Sequence, residues 1–411
     1  MNAMYYRTNR DRLYARLKPG ALLVLFSGTP VRRTGDEFYP FCAERNFVYL
    51  TGLTCRDAVL LAAKESGGNV TERLYILPPD PMAERWNGRR IKPAEAEALC
   101  GISDIRPLEQ FEKDYAALTG SGAFEQLYLD LFLHEPTDRR RPAHSFAEAH
   151  QDLEITDVSR HLHALRTIKS CEEIDALRRA EEKTRAGILA MMCASRPGMY
   201  EYQYKAEFDH ALGQFGPEPA GFPSIISAGQ NNFCIHYDSY TGQALDGDMV
   251  LNDVGAQHQN MITDVSRGWP CNGRFSDRQK ILYQCALDTS DYMFSIIRPG
   301  MPMAEVDAAI RRYNFERLKD AGVLQSFDEI GKLMWHGGAH HIGYDVHDQI
   351  VTPEVLAPGM TFCVDVGIYH EEWGIGFRLE DNCLITENGC ENLSAAIPRT
   401  IEDIEDVMRH K

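Results

Sequence analysis

The feature that most constrains this fold is a motif that occurs twice in the second half of the chain. Asp253-Val254-Gly255 and Asp365-Val366-Gly367 each end a short apolar run, and a glycine (Gly247 or Gly359) precedes each run. Short apolar runs bounded by turn residues are typical of buried strands. The repeated motif therefore predicts two related strands, one in each half of a duplicated domain.

The duplication extends to the segments before the two motifs. Arg196-Pro197-Gly198-Met199 and Arg298-Pro299-Gly300-Met301 each open a stretch with helical periodicity, and His236 and His347 follow in corresponding places. Self-similarity over this length indicates a duplicated domain half rather than a short solenoid repeat. Two halves that face each other would bring both histidines and both acidic strands to one central site.

Each motif is predicted to form a β-hairpin that carries an acidic pair. With residues 257–260 as the turn, Asp253 lies opposite Asp264, and in the second hairpin Asp365 lies opposite Glu380. Directly opposed residues share a face, with Cβ atoms about 4.5–5.5 Å apart. Carboxylates that close in a half-buried sheet repel each other and lose hydration, so a cation between them would stabilise them. A solvated edge hairpin is the alternative for either hairpin alone, but two acidic hairpins favour a cation site.

Histidines are concentrated between the two hairpins. The chain has 14 histidines, and His336, His340, His341 and His347 all lie in one short segment. The adjacent glycines Gly337-Gly338 disfavour a helix there and suit a loop whose backbone approaches a bound group closely. We expect at least one metal ligand in this segment and a structural role for His341.

Four carboxylates and an imidazole form an oxygen-rich site with negative charge. Such ligands suit Mn²⁺, with Co²⁺, Zn²⁺ or Mg²⁺ as alternatives. Four carboxylates favour two ions about 3.5 Å apart, as in hydrolases whose bridging water is deprotonated near neutral pH and attacks a carbonyl. His236 and His347 would then hydrogen-bond the substrate or the oxyanion. Arg378, which shares a strand face with Glu380, would balance the excess negative charge.

Composition limits the other functions that this chain could have. Its 411 residues, 44% hydrophobic and 25% charged, indicate a globular protein of about two domains. A net charge of −17 argues against nucleic acid or an anionic membrane as partners. No apolar run approaches the ~18 residues of a membrane span. Eleven cysteines without C-x-x-C spacing indicate free thiols and a cytoplasmic location.

The chain divides into residues 1–158 and residues 159–411. The first part alternates apolar runs with helical stretches, which is typical of an α/β domain. Its predicted strands cover residues 21–26, 47–50, 58–62, 73–77 and 126–131. In the second part, Ser170-Cys171-Glu172-Glu173 is a capping box that predicts the start of a long helix.

These motifs resemble those of the aminopeptidase P family, proline-specific metallopeptidases with the pita-bread fold. The resemblance covers nearly the whole chain. It is carried by L-N-D-V-G, I-T-D-V-S-R, H-G-G-A-H and F-R-L-E-D in the second part, and by G-D-E-F-Y-P-F and N-F-V-Y-L-T-G-L in the first. It implies an α/β N-terminal domain plus an α+β pita-bread (creatinase/aminopeptidase) catalytic domain built from two pseudo-symmetric halves.

The resemblance also implies roles for individual residues. In the family pattern Asp253 binds one ion, His340 binds the other, and Asp264 and Glu380 bridge. The implied metal ligands are Asp253, Asp264, His340, Asp365 and Glu380. The implied catalytic residues are Asp365, His236, His347 and Arg378. The implied substrate-binding residues are His236, His336, His347, Tyr369, Arg378 and Trp86.

The activity implied by the resemblance is hydrolysis of the N-terminal Xaa-Pro bond of peptides by a metal-bridged hydroxide. Trp86 in W-N-G-R-R matches a family loop that reaches a neighbouring subunit's substrate pocket, so the resemblance implies a homodimer or homotetramer. The alternatives are an Xaa-Pro dipeptidase (prolidase) and a non-catalytic peptide-binding protein of the same fold. One position departs from the family pattern, because Asp365-Val366 stands where the family usually has Glu-Pro.

Overall fold

The computed structural model describes residues 1–133, 135 and 141–410. The chain forms two compact units, Met1–Arg166 and Thr167–Lys411. The predicted boundary after residue 158 falls at the start of the last helix of the first unit. Within the described residues, no helix is both long enough and apolar enough to cross a membrane.

The first unit is built on a six-stranded mixed sheet in the order β4-β3-β2-β1-β5-β6. Its strands are β1 (Ala21–Phe26), β2 (Val59–Lys64), β3 (Val70–Ile76), β4 (Ile105–Pro107), β5 (Gln126–Leu129) and β6 (Glu154–Asp157). Its helices are α1 (Ala3–Tyr14), α2 (Arg45–Thr51), α3 (Pro81–Asn87), α4 (Pro93–Cys100), α5 (Phe111–Thr119), α6 (Pro142–Ala149) and α7 (Ser159–Arg166). Strand β1 pairs antiparallel with β2 and parallel with β5, and both strands bury apolar side chains.

One predicted strand of this unit is wrong. Residues 47–50 lie in helix α2, and all four are buried. A short apolar run that is buried all round does not distinguish a strand from a buried helix. The helix ends at Gly52, whose φ of 71° gives the left-handed C-cap. A side chain at Gly52 would also collide with the ring of Tyr6.

The second unit repeats one arrangement twice, as the duplicated motif predicts. The first half has helices α8 (Cys171–Ala194) and α9 (Glu201–Gly213), followed by strands β7 (Ile225–Ala228), β8 (Met249–Val254), β9 (Gln257–His258), β10 (Met261–Ile262) and β11 (Val265–Pro270). The second half has helices α10 (Asp277–Ile296) and α11 (Met303–Asp320), followed by strands β12 (Thr361–His370), β13 (Ile375–Ile385) and β14 (Cys390–Asn392). Helix α12 (Ile401–Arg409) closes the unit. The three-stranded sheets have the orders β11-β8-β7 and β12-β13-β14.

A capping box fixes the start of helix α8, and a glycine allows close packing of the two three-stranded sheets. The predicted capping box starts α8, since Ser170 Oγ accepts from the Glu173 N–H and the Glu173 carboxylate accepts from the Ser170 N–H. Gly268 on β11 has no space for a side chain, because a Cβ there would lie 2.6 Å from Cβ of Phe377 on β13. The two sheets therefore approach closely over one continuous apolar core.

Candidate metal centre

The first acidic hairpin differs in register from the sequence prediction. Asp253 on β8 pairs with Ser266 on β11, not with Asp264. The turn consists of only Gln259 and Asn260, whose φ angles of 50° and 67° are those of a tight two-residue hairpin turn. The turn is centred one residue later than predicted, so the pairing shifts by two residues, and an even shift keeps each side chain on its face. Asp253 and Asp264 therefore still share a face, diagonally rather than directly.

The second acidic hairpin has the predicted register. Asp365 on β12 pairs directly with Glu380 on β13, and Gly367 pairs with Arg378. The strands are joined at a short 3₁₀ turn, Glu371–Trp373, followed by Gly374 with a φ of 63°. Because residues two apart on a strand share a face, Arg378 and Glu380 lie on the same side of the sheet.

The histidine segment lies along the edge of β12. The N–H groups of Asp365 and Cys363 donate to the carbonyls of Gly338 and His340, at 2.9 and 2.8 Å. A Cβ at Gly338 would lie 2.7 Å from the side chain of Ile310 and 3.0 Å from the Asp365 carbonyl, so only glycine fits. These backbone bonds fix His340 beside the acidic residues.

The imidazole of His340 lies between two carboxylates. Its Nε2 is 3.3 Å from Asp264 Oδ2 and 3.4 Å from Glu380 Oε1. Asp264, His340, Cys363 and Glu380 each offer a ligand atom, and these four atoms lie within 4.8 Å of one another. The sequence analysis did not assign Cys363 to the site. Its position two residues before Asp365 was the available signal, because that spacing places it on the same strand face.

Burial and mutual repulsion perturb the acidic groups. Burial, and then the charges of Glu380 and Asp253, raise the pKa of Asp264 well above its ordinary value. Burial and Glu380 also raise the pKa of Asp365. Burial lowers the pKa of His340, but its contacts with Asp264 and Glu380 outweigh this and raise it overall.

The orphaned oxygens of these carboxylates fit a bound cation. In the described part of the chain, each of the four has one buried oxygen that accepts no hydrogen bond: Asp253 Oδ1, Asp264 Oδ1, Asp365 Oδ1 and Glu380 Oε1. A buried charged acceptor without a donor costs the full desolvation penalty of that group. Divalent ions would satisfy these oxygens, and the donor set of carboxylates with one imidazole suits them.

Arg378 supplies positive charge beside the carboxylates. It is buried, and it donates to Asp253 Oδ2 at 2.8 Å and to the Tyr369 hydroxyl at 2.9 Å. Burial lowers its pKa, but Asp253, Tyr369 and Asp365 outweigh this and keep the guanidinium charged. Ser266 accepts from Arg378 Nε at 3.3 Å and donates to Glu380 Oε2 at 2.8 Å. The sequence analysis missed Ser266, which links the two hairpins.

His336 and Tyr369 form the next layer around Asp365. His336 Nδ1 is 3.2 Å from Asp365 Oδ2, and its Nε2 is 2.9 Å from the Tyr369 hydroxyl. Gly367 makes room for this ring, because a Cβ there would collide with His336. Burial lowers the pKa of His336, which favours the neutral imidazole.

The two remaining histidines lie at the exposed side of the centre. His347 is exposed and stacks on His340 with ring centroids 4.0 Å apart. Burial of the ring, and then the neighbouring His340 and His236, lower the pKa of His347. His236 is exposed and follows Ile235, whose carbonyl accepts from Arg378 at 3.3 Å. The second unit thus brings together every predicted site residue except Trp86, which lies on α3 of the first unit and is 82% exposed.

Comparison with known proteins identifies the family. Residues 175–387 match metallopeptidase family M24, and residues 6–128 match the aminopeptidase P N-terminal domain. The Xaa-Pro aminopeptidase of Escherichia coli (strain K12) is 29% identical over 98% of this chain and 97% of its own length. The Xaa-Pro aminopeptidase of Haemophilus influenzae is 30% identical over 98% of this chain and 96% of its own length.

Solved structures agree with these sequence matches. A Bacillus anthracis structure assigned provisionally to aminopeptidase P superposes with a TM-score of 0.96 at 33% identity, covering 100% of this chain and 99% of the other. Aminopeptidase P from E. coli with the inhibitor Pro-Leu gives a TM-score of 0.89 at 28% identity, with the same coverage. The predicted family and the predicted pita-bread fold are confirmed. The chain therefore belongs to metallopeptidase family M24 and, on the match of both of its parts, to the aminopeptidases P.

Proposed function

We propose that this chain is a metal-dependent aminopeptidase that hydrolyses the N-terminal Xaa-Pro bond of peptides. The observation that carries the proposal is a group of four carboxylates, each with a buried oxygen that accepts no hydrogen bond from the described residues, of which Asp264 and Glu380 face the imidazole of His340. Relatives that match over nearly the whole chain are named Xaa-Pro aminopeptidases, which supports the same substrate class here.

The proposed centre holds two divalent ions, with Mn²⁺ as the first choice and Co²⁺, Zn²⁺ or Mg²⁺ as alternatives. Its ligands are Asp253, Asp264, His340, Asp365 and Glu380. When bound, the ions supply Lewis acidity and activate a water molecule for attack on the peptide carbonyl. Hard carboxylate oxygens suit Mn²⁺, and the single imidazole is compatible with each of these metals.

Asp365 is the proposed general base. Its Oδ1 would contact an ion, so its Oδ2, which lies 3.2 Å from His336 Nδ1, is the oxygen proposed to take the proton of the attacking water. In the metal-free chain, burial and the charge of Glu380 raise the pKa of Asp365 above its ordinary value. The same carboxyl would then hand that proton to the leaving proline nitrogen.

The exposed histidines are proposed to hold the substrate at the reacting carbonyl. His236 and His347 lie at the exposed side of the centre, and their ring N–H groups can donate to the carbonyl oxygen as negative charge develops on it. Stacking on His340 fixes the orientation of His347. Arg378 is proposed to orient Asp253 and the Tyr369 hydroxyl rather than to leave its buried position.

An apolar surface beside Tyr369 supports recognition of a proline ring. Trp335 stacks on Tyr369 with ring centroids 4.6 Å apart, and the partly buried Phe233 and Tyr237 pack in the same cluster. The Xaa-Pro bond is a tertiary amide without an N–H, so recognition of its imino side depends on shape and apolar contact rather than on donation from the peptide.

The proposal also includes a role for Trp86 in an oligomer and a cellular location. The indole of Trp86 is 82% exposed, and we propose that it contacts substrate in a neighbouring subunit of a homodimer or homotetramer. All eleven cysteines are free, which supports a reducing, cytoplasmic location. Light scattering of the purified chain, with Trp86→Ala alongside, tests the oligomer.

Peptide hydrolysis with matched substrates tests the function. The Mn²⁺-loaded chain is assayed with Ala-Pro, Ala-Pro-Ala and Ala-Ala-Ala, and released alanine is measured together with the second product, which is Pro-Ala when the N-terminal bond of Ala-Pro-Ala is cleaved. Cleavage of Ala-Pro-Ala without cleavage of Ala-Ala-Ala supports the proposal. Cleavage of Ala-Pro alone would assign the chain as a dipeptidase. Binding of Ala-Pro-Ala without cleavage of any of the three peptides would indicate a peptide-binding protein and contradict the proposal.

A further inference from the structure

We propose that the thiolate of Cys363 is an additional ligand of one ion in this centre, beside His340, Asp264 and Glu380. The inference rests on the proposed metal centre and deepens it by giving the two ions different donor sets. One ion would have a mixed sulfur, nitrogen and oxygen environment, whereas the other would be held by carboxylates.

The position of Cys363 carries the inference. It lies on β12 two residues before Asp365, so its side chain points to the same face. Its Sγ lies within 4.8 Å of ligand atoms of Asp264, His340 and Glu380. In a tetrahedral site with metal–sulfur bonds of about 2.3 Å and metal–nitrogen bonds of about 2.1 Å, the ligand atoms are roughly 3.6 Å apart. The four atoms now lie within 4.8 Å of one another, so modest side-chain shifts would place them around one ion.

The surroundings of the thiol point to a ligand independently of its position. Cys363 is fully buried, and Asp264 and Glu380 are only 3% and 2% exposed. Each of these carboxylates has a buried oxygen that accepts no hydrogen bond from the described residues. Asn382 Nδ2 donates to Cys363 Sγ at 3.5 Å, a weak hydrogen bond in which the sulfur is the acceptor. A buried thiol in an apolar core would not meet two orphaned carboxylate oxygens and an imidazole.

Binding of an ion would convert the thiol to a thiolate. Coordination breaks the S–H bond, forms a sulfur–metal bond and releases the proton to solvent, as occurs when a metal ion binds a thiol.

A soft sulfur ligand changes which metals this position prefers. Thiolates select Zn²⁺ and similar borderline ions, whereas carboxylates suit Mn²⁺ and Mg²⁺. The position that includes Cys363 is therefore expected to favour Zn²⁺ or Co²⁺, and the other position is expected to favour Mn²⁺.

Cobalt spectroscopy tests the inference with a readout other than activity. Co²⁺ is titrated into the metal-free chain, and the near-ultraviolet spectrum is followed for a sulfur-to-cobalt charge-transfer band, with cobalt binding measured separately by calorimetry. We expect a band that saturates with one cobalt per chain and is lost in Cys363→Ser. Cys383→Ser is the matched control, because Cys383 is also fully buried on the paired strand but lies outside the cluster.

X-ray absorption at the cobalt edge is measured on the unmodified chain with cobalt bound. This measurement does not depend on whether Cys363→Ser folds. The inference predicts a sulfur scatterer at about 2.3 Å from cobalt. Bound cobalt with neither a charge-transfer band nor a sulfur scatterer would overturn the role of Cys363 and leave the metal centre standing. Absence of any bound cobalt would contradict this inference and the proposed metal centre together.

Discussion

Asp365 and Glu380 face each other directly across the β12–β13 hairpin, and they are only 7% and 2% exposed. Each has a buried oxygen that accepts no hydrogen bond among the described residues. Two opposed carboxylates at this depth are costly when charged and unpaired, so the hairpin is most stable with cations between them.

Replacing Glu380 with glutamine is expected to abolish metal-supported peptide hydrolysis. The substitution keeps the shape of the side chain but removes the charge that faces His340 Nε2 at 3.4 Å. We expect a loss in kcat/KM greater than the roughly 100-fold upper range seen for outer-sphere residues. Calorimetric titration with Mn²⁺ should show loss of at least one bound ion.

Glu391→Gln is the matched control, because Glu391 lies on the neighbouring strand β14 and pairs with Arg178 at the surface. It should retain both metal binding and activity. Full activity in Glu380→Gln would exclude Glu380 as a metal ligand.

Metal affinity is expected to rise with pH. Burial and the neighbouring charges raise the pKa values of Asp264 and Asp365, so protons compete with metal at these carboxylates in the metal-free chain. Lowering the pH should weaken Mn²⁺ binding, and loading should release protons. Calorimetry in two buffers with different ionisation enthalpies measures this release. A Kd that is constant between about pH 5.5 and about pH 8 would contradict the competition.

Ser266→Ala is expected to weaken metal binding without changing any proposed ligand. The hydroxyl donates to Glu380 and accepts from Arg378, so its loss frees both groups to move. Outer-sphere partners of this kind are worth about 10- to 100-fold in affinity or activity.

Ser227→Ala controls for the general cost of removing a buried hydroxyl, because Ser227 bonds Asn232 rather than a proposed ligand. It should lower stability by about 1–3 kcal/mol but leave Mn²⁺ affinity unchanged. Equal Mn²⁺ affinity in the two variants would show that Ser266 does not orient Glu380.

The sequence predicted the elements that depend on local pattern. The duplicated motif was sufficient to place Asp365 opposite Glu380, since the intervening turn has a clear glycine at Gly374. The same reasoning failed for Asp253, because the position of the turn decides the register. Gln259-Asn260 has no glycine to mark that position, and Gln259 adopts a positive φ that its residue type disfavours.

One helix and two residues of the centre depend on tertiary contacts that the local sequence does not reveal. Residues 47–50 form a helix because burial on all sides removes the periodicity that separates helix from strand. Cys363 and Ser266 contribute to the centre only because two hairpins distant in sequence meet there. No local pattern distinguishes them from ordinary buried residues.

Glu181 is expected to make stability depend on pH. Burial raises its pKa to about 8 from an ordinary value of 4.5, and the Ser394 hydroxyl donates to it. Because its pKa is raised in the folded state, protonated Glu181 stabilises the folded chain relative to the unfolded chain. This contribution is complete below about pH 4.5 and is lost as the pH rises through about 8.

Glu181→Gln, which stays neutral, should therefore be less sensitive to pH in this window and more stable than the unmodified chain above it. Urea unfolding of both metal-free proteins across the window measures the difference. Parallel stability curves would show that Glu181 is ionised in the folded protein.

Anomalous diffraction at the manganese edge from Mn²⁺-soaked crystals tests the central claim most directly. The account predicts two anomalous peaks per chain, both within bonding distance of the proposed carboxylate and imidazole ligands: Asp253, Asp264, His340, Asp365 and Glu380. Peaks elsewhere in the chain, or no peak in this cluster in crystals of a chain that cleaves Ala-Pro-Ala, would contradict it.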